Sequence, residues 1–301
     1  MHIIDIPKEF QPSYNSNYPP YSSGKNIEEI FYDYFLKNND DIESEYIYIP
    51  VFWTSYYIIN NYAANIEQLY NWLDTIDKTK KYFTVVQYDS GIFIKNYNLN
   101  IMVFTAGGGG LNINNNEITE DVIFNGFKRQ IFSGKKGDYD IPLICLPVFP
   151  EINIEKDIFC SFMGRFDTHP SRMKIKDVLN NNNKYLLSET KNVDEYKNII
   201  NRSTFTIAPR GYGYTSFRLY EAINANSIPI YIWENKISLP FQDKINWNDF
   251  AIIVNSNDIA KLPEILNNAN IEKMQHELTK IKHMFSFDYT FKYIIEKISV
   301  T

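Results

Sequence analysis

The chain has 301 residues, 44% hydrophobic and 16% aromatic, enough apolar material for a large core and, at that length, for two domains rather than one. A net charge of −6 with no basic tract argues against a nucleic-acid partner. No apolar run approaches the roughly 20 residues of a membrane helix, and the start MHIIDIPKEF lacks a signal-peptide core, so a soluble, cytoplasmic protein is expected.

Residues 1–26, containing QPSYNSNYPPYSSG, read as an irregular arm. Residues 26–37 carry Ile27, Ile30, Phe31 and Tyr34 at helical spacing and predict a first helix. An acidic turn at 40–45 leads into YIYIPVFW (46–53), read as a buried strand. Residues 58–75 form an amphipathic pattern with Ile66, Leu69, Tyr70 and Leu73 on one face. A second strand, 82–87, ends in Tyr88, Asp89, Ser90 and Gly91. In open α/β sheets ligands gather beyond the carboxyl ends of strands, and a carboxylate there suits a general base. By position alone, Asp89 serves more simply as a turn cap before Gly91.

Residues 101–105 predict a third strand that runs into Gly107, Gly108, Gly109 and Gly110. Such a run permits close backbone approach to a ligand or a neighbouring element; a flexible surface loop is the equal alternative. No Lys-Ser/Thr follows, so it is not a P-loop. Residues 122–132 include a strand and 134–137 a turn. Asp138, Tyr139 and Asp140 spell a triplet that can hold a metal. Here it immediately precedes IPLICLPVFP, read as a strand with prolines, and is taken as a structural turn with no metal. Cys145 and Cys160 lie in apolar runs without His or Cys at metal-ligand spacing, and read as buried thiols.

Pro142, Pro147 and Pro150 with the charged EINIEKD mark a domain junction. A second sheet begins at 157–162. Gly164 and Arg165 follow at the strand's carboxyl end, with Thr168, His169 and Arg172 next. Arg165 and Arg172 are anion-site candidates, and His169 can donate to a phosphate oxygen or simply be solvated. A helix at 171–180, a strand at 184–187 and a helix at 193–201 deliver the chain into TFTIAPRGYGYTSFRLYEAINANSIPIYIW (204–233). That stretch reads as strand, glycine loop, helix, strand. Thr215 or Ser216 caps the helix. Arg218 sits in its first turn, where a cation is the wrong sign unless an anion binds there. Gly211, Tyr212 and Gly213 offer backbone amides, and Arg210 with Arg218 can clamp a diphosphate. Glu221, on the same face, can accept from ribose hydroxyls; a solvated Arg218–Glu221 pair is the alternative. Strand 250–254, helices at 258–266 and 271–284, and an aromatic helix at 287–298 complete the chain.

The block APRGYGYTSFRLYEAINANSIPIYIW resembles the signature of the exostosin family, glycosyltransferase family 47: Pro-Arg-Gly, a Ser-x-Arg-Leu-x-Glu-Ala helix, then a small-Ile-Pro-Val/Ile strand. IFCSFMGRFDTHPSR (158–172) is similar to that family's Phe-x-Gly opening of the donor domain, and LPFQDKINWNDFAIIV (239–254) to its Leu-Pro-Phe…Trp-x-x-Phe segment. The family's usual N-terminal membrane helix has no counterpart in this sequence. The resemblance implies an α/β fold of GT-B architecture, two doubly wound Rossmann-like domains facing a central cleft. Residues 1–150 are then the acceptor side, with Asp89 the leading base and Gly107, Gly108 and Gly109 at the cleft. Residues 151–285 hold the nucleotide sugar through Arg165, Thr168, His169, Arg172, Arg210, Gly211, Tyr212, Gly213, Thr215, Ser216, Arg218 and Glu221. Residues 286–301 cross back to the first domain. The implied reaction is inverting, metal-independent transfer from a nucleoside-diphosphate sugar, with UDP expected, to a glycan hydroxyl, with no cofactor. A catalytically inactive nucleotide- or glycan-binding protein is the alternative. A nucleotide-sugar epimerase lacks support, since no dinucleotide fingerprint lies near the N-terminus.

Overall fold

A computed structural model describes residues 2–14, 18–38, 42–63, 66–92, 99–110, 122–124, 127–129, 137–180 and 182–299. The chain divides into two compact units, one of Met1–Tyr18, Ser22–Ile141 and Thr290–Thr301, the other of Pro19–Tyr21 and Pro142–Tyr289. Each is built on a five-stranded, all-parallel sheet with helices, the α/β pattern that the sequence predicts.

In unit 1, β1 (His2–Ile3), β2 (Tyr46–Tyr48), β3 (Lys81–Val86) and β4 (Asn100–Thr105) lie side by side in chain order. A separate antiparallel pair, β5 (Val122–Phe124) and β6 (Phe127–Arg129), precedes β7 (Tyr139–Asp140), which completes the first sheet beside β4. The helices are α1 (Ile27–Asn38), α2 (Trp53–Ile59) and α3 (Glu67–Thr75). β3 is buried at every position after Lys81, as a parallel strand covered on both faces should be. Phe31 on α1 is fully buried and meets Tyr48, Phe83 and Phe291 edge-on at centroid distances of 5.3, 6.2 and 5.2 Å.

Several local expectations change. The strand expected over 46–53 stops at Tyr48, because Pro50 has no N–H for a ladder. Trp53 instead opens α2 and donates from Nε1 to Thr84 Oγ1 at 2.8 Å. The single pattern over 58–75 becomes α2 and α3, separated at Asn61, Tyr62 and Ala63, whose φ values of 54, 55 and 71° end the first helix; residues 64–65 lie outside the described residues. IPLICLPVFP forms no strand, its three prolines withholding donors. Asp138 is no turn residue alone: its Oδ2 accepts from Val103 N at 2.7 Å, and Tyr139–Asp140 becomes a short edge strand. Of the turn expected over 134–137, residues 134–136 lie outside the described residues, as do 40–41 of the acidic turn.

Among the described residues Glu28 is the most deeply buried carboxylate of unit 1. Its Oε1 accepts from Thr54 N, Thr54 Oγ1 and Gln87 N at 3.2, 2.6 and 2.9 Å, tying α1, α2 and the end of β3 together. Burial pushes its pKa above the ordinary 4.5, against the pull of those hydrogen bonds. A folded-state pKa raised in this way gives stability that is full below the unfolded value and lost as pH rises through the folded one. Thermal melts across pH should therefore show Glu28→Gln gaining on the wild type as pH rises from about 4.5 toward neutrality. Glu28→Ala, which strands three donors, should cost about 3 kcal/mol at low pH, and less as pH rises and the wild type pays for ionising the buried group.

In unit 2 the strands are β8 (Ile158–Met163), β9 (Tyr185–Ser188), β10 (Ser203–Pro209), β11 (Ile228–Trp233) and β12 (Ile252–Asn255). Their order across the sheet is β12-β11-β10-β8-β9. The connecting helices are α4 (Pro170–Leu179), α5 (Val193–Arg202), α6 (Phe217–Asn224), α7 (Leu262–Asn267) and α8 (Ile271–Ile281); α9 (Phe287–Ile298) ends the chain. The chain winds outward from β8 to β9, then returns to β10 on the other side of β8. Loops leaving β8 and β10 therefore part in opposite directions, and a crevice opens at the carboxyl ends of these two strands. Gly164 and Arg210 are the first residues beyond those ends.

Candidate active site

The crevice is built around one guanidinium. Gly164 follows β8 with φ 145°, and its N–H donates to Ser188 O at 2.8 Å, fixing it to the end of β9. A Cβ at position 164 would lie 2.4 Å from Arg218 Nη2. Glycine is therefore required twice, by its backbone angle and by the guanidinium lying over it. Arg218, in the first turn of α6, is 5% exposed and rests on the rings of Phe162 and Tyr196 at 4.9 and 6.0 Å. Glu221 is 4% exposed. The pair is thus no solvated surface pair: α6 is buried on its charged face as well as on its apolar face of Leu219, Tyr220 and Ile223.

The loop between β10 and α6 supplies the rest. Arg210 is buried, donates from Nη2 to Tyr212 O at 3.0 Å and lies over the Tyr214 ring at 4.8 Å. Gly211 N–H donates to Thr215 O at 3.3 Å, closing the loop on itself. Space at Gly211 would admit a Cβ at ordinary contact distance, and neither Gly211 nor Gly213 has a positive φ. The glycine that the geometry demands is Gly164 instead. Tyr212 points outward and is exposed. Ser216 occupies the N-cap position of α6, yet its side chain makes no cap hydrogen bond, contrary to the expected capping role. Thr215 Oγ1 and Ser216 Oγ are both buried without a hydrogen-bond partner in the protein. Two such hydroxyls beside buried cations cost stability unless something accepts from them.

The segment after β8 divides its charges differently from expectation. Arg172 donates from Nε to Arg210 O at 2.9 Å and from Nη1 to Arg165 O at 3.0 Å and Thr168 Oγ1 at 3.5 Å. It ties the two crevice loops together through their backbones. Arg165, with its side chain 74% exposed, makes a bidentate pair with Asp167 at 2.9 and 2.6 Å. His169 has both ring nitrogens engaged: Nδ1 accepts from Ser171 N at 3.2 Å as the cap of α4, and Nε2 stands 3.1 Å from Glu234 Oε2. Burial, with Arg210 nearby, lowers its pKa and favours the neutral ring, with Nδ1 accepting and Nε2 facing Glu234. The structure therefore gathers Gly164, Arg172, Arg210, Thr215, Ser216 and Arg218, and leaves Arg165 and Tyr212 outside that group.

Glu221 holds a second cluster. Tyr21 OH donates to its Oε1 and Tyr196 OH to its Oε2. Burial raises its pKa, while the two phenols and Arg218 pull it down. Neither tyrosine was legible as a site residue: Tyr196 is one aromatic of α5, and Tyr21 lies in an arm without periodicity. Glu234 and Phe162 were likewise missed.

In unit 1, Asp89 is half-buried in the turn after β3, and Ser90 Oγ donates to its Oδ1 at 3.2 Å. The glycine run packs against this turn. A Cβ on Gly107 would lie 2.4 Å from Gln87 O and 2.8 Å from Asp89 Cα, and Gly110 N–H donates to Ser90 O at 3.0 Å. Gly108 and Gly109 have φ values of 94 and 56°. Among the described residues no group of three or more His, Cys, Asp or Glu side chains could hold a metal ion, and no helix is long and apolar enough to cross a membrane. Cys145 and Cys160 are free and buried.

Residues 136–269 match the family model of the Exostosin GT47 domain. Over 72 residues the chain is 39% identical to an Exostosin-1 homolog of Caenorhabditis elegans, covering 24% of this chain and 19% of that protein. Over 137 residues it is 28% identical to a probable glucuronosyltransferase of Oryza sativa subsp. japonica, covering 42% of this chain and 32% of that protein. The match spans between 19% and 32% of the length of these relatives. Among solved structures, TarM aligns with a TM-score of 0.42 at 9% identity, over 87% of this chain and 56% of that one.

Proposed function

We propose, from the exostosin-like character of residues 136–269, that the chain transfers a sugar from a nucleoside diphosphate, UDP foremost, to a glycan hydroxyl, with inversion and without a metal. The observation that carries this reading is the position of Arg218 over Gly164, at the crevice where the strand order of unit 2 reverses. Arg218 and Arg210, with the hydroxyls of Thr215 and Ser216, receive the oxygens of the diphosphate. Fork-shaped guanidinium groups suit that task, and their charge stabilises the departing diphosphate as the glycosidic C–O bond breaks. Arg172 keeps the two loops in register. Glu221 accepts from the ribose hydroxyls. In unit 1, Asp89 takes the proton of the acceptor hydroxyl as its oxygen bonds to the anomeric carbon from the opposite face. That single displacement inverts the configuration.

The test is a melt against UDP followed by transfer assays with a panel of UDP-sugars and glycan acceptors. UDP at a hundredfold excess over Kd should add about 2.7 kcal/mol of stability. Turnover should persist in EDTA, and Asp89→Asn should lower kcat by about a hundredfold or more while leaving UDP binding intact. UDP binding without turnover on any pair would instead favour a nucleotide-binding protein; no UDP binding would sink the donor site.

A further inference from the structure

Glu221 is claimed by the wrong kind of partner for a residue that reads ribose. Both of its oxygens already accept from phenols, Oε1 from Tyr21 and Oε2 from Tyr196. The cavity beside them, bordered by Tyr21, Cys145, Phe149, Tyr220 and Glu221, has a volume of about 10 Å3, room for one water at most. A ribose cannot reach the carboxylate in this arrangement. One of the two phenols has to give way, and their anchorage differs. Tyr196 lies on α5, whose helical backbone fixes the position of its Cα. Tyr21 belongs to Pro19–Tyr21, three residues without helix or strand that join unit 2 while the chain on either side of them belongs to unit 1. Its other contacts are an edge-on meeting with Phe149 at 5.8 Å, Lys197 Nζ over its ring at 5.3 Å, packing against the cluster of Phe149, Ile200 and Ala225, and a side-chain hydrogen bond with Cys145.

We propose that Pro19–Tyr21 plugs the ribose pocket, the Tyr21 phenol standing on Glu221 where a ribose hydroxyl binds and leaving when the nucleotide enters. The inference rests on the donor reading above. Its chemistry is an exchange of like for like: a phenol O–H and a ribose O–H each donate one hydrogen bond to the same carboxylate oxygen. Nucleotide binding then gains little from Glu221, because it surrenders one hydrogen bond to form another. The plug makes the empty pocket a satisfied one and sets a threshold for nucleotide entry. Tyr21 is thus a positioning residue, acting through Glu221.

The experiment measures, by calorimetry, the binding of UDP and of 2′,3′-dideoxy-UDP to the full chain and to Tyr21→Phe, with Tyr196→Phe as the companion. Tyr21→Phe keeps the ring and removes only the competing O–H. It should bind UDP about tenfold more tightly than the wild type, since a hydrogen bond to a charged group is worth about that factor. Its affinity for the dideoxy analogue should rise by a similar factor, because the phenol has to leave before either sugar enters. Tyr196→Phe should show no such gain. Equal UDP affinity in wild type and Tyr21→Phe, or a gain confined to UDP, overturns the plug while leaving the donor site standing. Failure of every protein to bind UDP removes the donor reading itself. A merely structural Tyr21 would shift the melting temperature and leave both affinities as in the wild type.

Discussion

Arg218→Ala is expected to reduce kcat/KM for sugar transfer by about 10²–10³-fold, the loss typical of removing one preorganised group that meets developing charge. The guanidinium is held over Gly164 by the Phe162 and Tyr196 rings, so its orientation is set before any ligand arrives. Arg218→Lys keeps the charge and loses the fork, and should recover only part of the rate. Steady-state kinetics with a UDP-sugar, paired with UDP calorimetry, checks both. The Ala variant should also melt at a lower temperature, because Glu221 stays buried without the cation that favours its ionised form. Unchanged turnover and UDP affinity in Arg218→Ala would mean that the diphosphate lies elsewhere.

Gly164→Ala should imitate that loss without touching Arg218. The new methyl would sit 2.4 Å from Nη2, and at φ 145° the backbone cannot swing it away cheaply. The guanidinium is the flexible partner and must move. Backbone strain of about 1–3 kcal/mol should appear in denaturant unfolding. The activity loss should be about a hundredfold, from displacement of one charged donor. The double variant is the sharper test: if position 164 acts through Arg218, then Gly164→Ala adds little activity loss on an Arg218→Ala background. Additive losses would show that Gly164 has a separate task.

Much of this site is legible in the chain because local rules and tertiary placement agree there. The strand–loop–helix–strand of 204–233 appears as β10, α6 and β11 with ends shifted by a few residues. A parallel strand buried on both faces writes itself as an unbroken apolar run, and Phe205, Ile207, Ile228, Ile230 and Ile232 are all fully buried. What misleads is the assumption that charge near a glycine loop serves a ligand. Arg165, Arg172, Arg210 and Arg218 look alike in sequence; only the fold divides them into one surface pair, one backbone tie and two crevice cations. The glycines mislead in the same way. Gly211 and Gly213 sit in the recognisable block, while the steric demand falls on Gly164, forty-odd residues earlier, because the partner that excludes a side chain comes from another element. Helix α2 was lost for a different reason: WTSYYII is aromatic and β-branched, and its helical state follows from Trp53 reaching Thr84 rather than from propensity.

The seam between Gly107 and the turn at Gln87–Asp89 has a mechanical corollary. Ala106 N–H is bonded to Val86 O at 2.9 Å and Gly110 N–H to Ser90 O at 3.0 Å, with no space between for even a methyl group. The two loops are therefore one stiff lever. Any displacement of residues 108–110 must carry the Ser90 carbonyl with it, so the backbone that holds the Asp89 carboxylate is set in part from a neighbouring strand end.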